Sequence, residues 1–124
     1  MTRTTLAGLA LAGLLLAPGI SLAHHSYAMF DMQKTVALQA TVVRFKWQNP
    51  HAFIEADAAS RTGTERWSIE MTSPNNLTQE GWKRTSLKPG DRVTIYVHPL
   101  RSGARGGSYA GVRFANGSTL GDVS

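Results

Sequence analysis

From Val36 to Trp47 apolar and polar residues alternate with one slip: Val36, Leu38, Ala40 and Val42 face one way against Ala37, Gln39 and Thr41, and then Val43, Phe45 and Trp47 take over. A period of two belongs to a strand whose faces meet different environments, and a helix cannot satisfy it. One extra residue near Val42–Val43, a β-bulge, returns the apolar side chains to the same face after the slip. The chain contains no cysteine, so no disulfide can stand in for a core. The strands must bury their apolar faces against one another.

The same pattern recurs. His51 to Asp57 places Ala52, Ile54 and Ala56 on one face. Glu65 to Thr72 sets Trp67, Ile69 and Met71 against Ser68, Glu70 and Thr72, and Val93, Ile95 and Val97 point inward from a fourth strand whose Thr94, Tyr96 and His98 face outward. Ser73 followed by Pro74 is a helix start, predicting about two turns to Gly81, with Trp82 and Leu87 packing that helix on the sheet. After a glycine-rich loop from Arg101 to Gly107, a fifth strand covers Ser108 to the Asn116–Gly117 turn. Three strands, a short helix and two strands is the element order of an OB-fold. The expected fold class is therefore mainly β, an OB-like five-stranded partly open barrel over residues 35–124 with one short helix between strands 3 and 4.

Residues 1–23 carry the three parts of a secretory signal: Arg3, an apolar run from Leu6 to Ala17, and Ser21 and Ala23 before the expected cut. The run is too short to span a bilayer. The expectation is a periplasmic or secreted protein with no membrane span after cleavage. Its N-terminal arm is 24–34, and it keeps 12 basic against 8 acidic residues. That charge is spread out, as on a solvated surface.

The segments AHHSYAMFD, TVVRFKWQNPHAFIEADA, Trp-Ser-Ile-Glu and EGWKRTSLKPGDRVTIYVHPLRSG together resemble a family of small exported bacterial proteins of uncharacterised function. The resemblance covers the mature chain. It falls on His24, His25, Ser26, Asp31, Trp47, Asn49, Pro50, His51, Gly81, Trp82, Gly90 and Asp91. It implies no activity.

Cleavage after Ala23 would free the α-amine of His24, which with its own Nδ1 forms a bidentate chelate. A third nitrogen from His51 or His98, or less readily from His25, would complete a three-nitrogen site suited to copper. Competing readings stand beside this one. The His24–His25 pair is equally an exposed terminus, His51 after Pro50 is placed to cap a backbone group, and His98 before Pro99 is an exposed strand end. Met29 and Met32 read as packing residues, with soft sulfur for Cu(I) as their alternative role.

A second class of function rests on Trp47, Tyr96 and Tyr109 with Arg44, Lys46, Arg92 and Arg113, a stacking and electrostatic face for a glycan or an envelope protein. Export speaks against nucleic acid. There is no G-x-S-x-G, phosphate loop, dinucleotide fingerprint or HExxH, so the sequence favours a binding protein for a metal ion or small ligand over an enzyme, and a copper-dependent oxidase is the catalytic alternative.

Overall fold

The computed structural model describes residues 27–124. The expected signal segment, its cleavage point, His24 and His25 lie outside the described residues. Among the described residues the named elements are β1 (Val36–Lys46), β2 (Phe53–Ser60), β3 (Gly63–Glu70), the short helix α1 (Pro74–Gln79), β4 (Arg92–Pro99), β5 (Gly106–Arg113) and β6 (Thr119–Gly121). Among these residues no helix is long and apolar enough to cross a membrane.

β1 is the longest strand and organises the rest. It pairs antiparallel with β2 on one edge and with β4 on the other, β2 pairs with β3, and β4 pairs with β5. A parallel seam then joins β3 to β5 through Ser68–Gly106, Ile69–Gly107 and Glu70–Ser108, closing a five-stranded barrel in the order expected of an OB-like fold. Only the last three residues of β3 take part in that closure. The bulge falls as the alternation requires: Val42 lies opposite Ala56 and Arg44 opposite Glu55, leaving Val43 as the extra residue.

Inside, Ile54, Ala56, Ile69, Ile95, Val97 and Val112 form the fully buried centre, each contributed by every second residue of its strand. Helix α1 covers the barrel floor. Ser73 caps it by accepting a hydrogen bond from the Asn76 N–H at 3.3 Å, Pro74 opens its first turn, and Leu77 and Trp82 are fully buried. The Trp82 ring is packed by Phe45, Tyr109 and Phe114, with centroids 5.6, 5.5 and 6.0 Å away. At roughly 1.5–3 kcal/mol for each fully buried large side chain, this floor is a principal source of stability.

Several boundaries differ from expectation. The second strand begins at Phe53 and runs to Ser60, so His51 sits in the loop before it, and the third spans Gly63–Glu70. The helix stops at Gln79, two residues short of Gly81. The fifth strand starts within the expected glycine-rich loop, at Gly106, and beyond the Asn116–Gly117 turn a sixth, three-residue strand folds back on it.

Candidate functional site

The N-terminal arm brings the two described histidines into one cleft. Phe30 is buried and bridges to Leu100, the Asp31 N–H donates to Pro99 O at 2.8 Å, and the Arg101 N–H donates to Met29 O at 2.9 Å. These bonds clamp the arm along the end of β4. Between arm and barrel lies a cleft of about 330 Å3 lined by Tyr27, Met32, His51, Glu70, His98 and Tyr109, among others.

His51 reaches the cleft because its neighbour Ala52 exchanges backbone hydrogen bonds with Met71 and Thr72, which fixes the loop before β2 against the end of β3. Its Nδ1 lies 2.9 Å from Met71 O, with a Glu70 carboxylate oxygen at 3.7 Å. His98, near the end of β4, places its Nδ1 2.9 Å from Lys34 O, in the turn that ends the arm. A carbonyl oxygen only accepts, so both Nδ1 atoms carry hydrogen and donate. In the neutral ring Nε2 then holds the lone pair. Histidine ligands are oriented in this way, with the second ring nitrogen given to a carbonyl or carboxylate. The backbone-capping reading of His51 and the ligand reading are therefore compatible, since they use different nitrogens.

Two rings are not a complete site. Among the described residues no group of three or more His, Cys, Asp or Glu is arranged to hold a metal ion. Met29 and Met32 depart from the packing role read in the sequence: they are 49% and 44% exposed, and Met32 lines the cleft.

The residues expected to form a stacking face do not converge. Tyr96 lies on the outer face of β4 opposite Ala37. Trp47 follows the other end of β1, beyond the bulge, and packs edge-on against Phe45 at 5.6 Å. Arg44 stands 3.7 Å from Glu55, to which Lys46 also bonds at 2.6 Å. The Lys46 hydrogen bond, with the charges of Lys46 and Arg44, holds the Glu55 carboxyl below its usual range against the opposing cost of desolvation. Tyr109 is elsewhere, in the histidine cleft.

Neither Tyr27 nor Glu70 stood out as a cleft residue from spacing alone, because the barrel seam and the arm bring them together. The only sequence signal was the nearness of Tyr27 to His24.

Fold and site define a small OB-like β-barrel with a histidine-bearing cleft beneath its N-terminal arm. Residues 13–110 match the Family of unknown function (DUF6152), and the chain belongs to that family. No curated protein and no solved structure matches it.

Proposed function

We propose that this is an exported, periplasmic copper-binding protein whose site is completed by its own processed N-terminus. The observation that carries the reading is that His51 and His98, 47 residues apart in sequence, line one cleft with Tyr27, each ring donating Nδ1–H to a backbone carbonyl. A chain beginning at His24 has three residues to span before Tyr27, a reach of at most about 10 Å. The α-amine and Nδ1 of His24 would supply two nitrogens, and Nε2 of His51 or His98 the third. Neutral nitrogen donors suit both oxidation states of copper. The reading is of binding rather than turnover: among the described residues, the one carboxylate–histidine contact within 4.0 Å joins Glu70 to His51.

Copper(II) titration of three forms tests this: protein cleaved before His24, protein carrying one extra residue there, and a His51→Ala, His98→Ala double variant. The indole of Trp82 is hydrogen-bonded to the cleft residue Tyr109, so tryptophan fluorescence quenching reports occupancy. The first form should bind one ion and the other two should bind at least roughly tenfold more weakly. Binding should also weaken on acidification, as protons compete for the same lone pairs. Equal affinity in all three forms would reduce the histidines to ordinary surface groups.

A further inference from the structure

A second cleft, which shares no lining residue with the first, holds two arginines that have no carboxylate partner among the described residues. It occupies about 430 Å3 on the outer face of β2, β1, β4 and β5, and its lining includes Gln39, Thr41, Asp57, Thr94, Arg92 and Arg113. Barrel register explains the grouping. Thr41 lies opposite Asp57 on one side and Arg92 on the other, while Thr94 lies opposite Gln39 and Arg113. Arg92 and Arg113 are thus diagonal neighbours on adjacent strands, a spacing of about 7–8 Å that long side chains readily close.

The polar groups divide into two ends. At the β4–β5 end both guanidinium groups are exposed, and among the described residues neither has a carboxylate within 4.0 Å, whereas Arg44, Arg66 and Arg105 each have one. Beside them the Thr94 hydroxyl donates to Gln39 Oε1 at 3.2 Å, which leaves the Gln39 amide N–H groups free to donate. At the β2 end Asp57 is ion-paired with Arg66 from the facing strand. That hydrogen bond keeps its carboxyl below the usual range, so Asp57 stays an acceptor. The cleft presents donors for an anion at one end and, across Thr41, an acceptor for hydroxyl groups at the other.

The geometry points to this cleft as a binding site for a hydroxylated carboxylate of the sugar-acid class, with the carboxylate between Arg92 and Arg113 and ring hydroxyls toward Thr41 and Asp57. Paired guanidinium groups suit a carboxylate because each offers a planar fork of donors. The volume lies within the range of small-ligand sites, about 300–1,000 Å3. The site shares no residue with the histidine cleft and does not depend on copper.

Titration calorimetry with galacturonate, an oligogalacturonate, galactose and acetate tests the assignment. An Arg92→Gln, Arg113→Gln double variant and a Lys83→Gln, Arg84→Gln control, which changes an exposed basic pair elsewhere, complete the set. The sugar acid should bind about tenfold or more tightly to the native protein than to the arginine variant, and the control should match the native protein. Galactose and acetate should bind more weakly than galacturonate. Binding of the monomer identifies a free sugar acid as the ligand, and binding of the oligomer alone identifies an acidic polysaccharide. No binding by either, equal binding by the arginine variant, an equal loss in the control, or acetate binding as tightly as galacturonate would each overturn the proposal.

Discussion

Trp82 and Tyr109 couple the barrel floor to the histidine cleft. Trp82 is fully buried, and its indole N–H donates to the Tyr109 hydroxyl at 3.0 Å. Burial pushes the Tyr109 phenol up from 10.0 to about 12; the Trp82 hydrogen bond opposes the shift and the charge of Glu80 adds to it. The folded state therefore favours the neutral phenol. Its contribution is intact below pH 10, and stability falls as pH rises from there toward 12, where the unfolded chain has already released the proton that the folded chain retains. Tyr109→Phe should remove that alkaline loss. It should also destabilise the protein by about 1–3 kcal/mol at neutral pH, because a buried indole N–H loses its acceptor. Thermal melts of both proteins at neutral and alkaline pH check the two effects together, and an unchanged alkaline slope in the variant would assign that loss to other groups.

The strands that could be read from sequence are those whose every second residue enters the core. β1, β2 and β4 declare themselves through Leu38, Ile54 and Ile95, and α1 through Ser73 and Pro74. The beginning of β5 does not, because Gly106 and Gly107 have no side chain to alternate. β6 spans three residues, too few for a period, and its Leu120 is only partly buried against the core. What holds β6 is backbone proximity. Gly111 faces Gly121 across the pair, and a Cβ on Gly111 would collide with the backbone of Asp122. Gly111→Ala should therefore push β6 off β5 while leaving the barrel strands paired, at a cost of about 1–3 kcal/mol typical of overpacking. Hydrogen exchange offers a direct reading. The Asp122 amide, bonded to Ala110 O at 2.8 Å, should lose protection, and the amides of β1 should keep theirs.

How the chain closes on itself decides whether there is a site at all. His51 and His98 share a cleft because the β3–β5 seam brings Glu70 against Ser108, and His98 stands opposite Ser108 on β4. No spacing in the sequence announces that meeting, which joins segments tens of residues apart, so single histidines were readable as candidates while their convergence was not. The seam itself depends on Gly107. A Cβ there would lie 2.8 Å from the carbonyl oxygen of His98, closer than real Cβ contacts come, and 3.0 Å from the Val97 side chain, tighter than most. Gly107→Val should force β5, the strand that also forms the seam with β3, away from β4, lowering the melting temperature by about 4–8 °C for each kcal/mol lost in a domain of this size. The same displacement moves the strand that carries Ser108 and Tyr109 along the cleft wall, so copper affinity should fall with stability in this variant. Gly111→Ala displaces β6, which gives Gly121 to the cleft, but leaves the β3–β5 seam paired, so it should lower copper affinity less than Gly107→Val does. Measuring melting temperature and copper affinity on both variants separates the two roles. Equal copper affinity in native protein and in a folded Gly107→Val variant would show that the histidines coordinate without the seam holding them together.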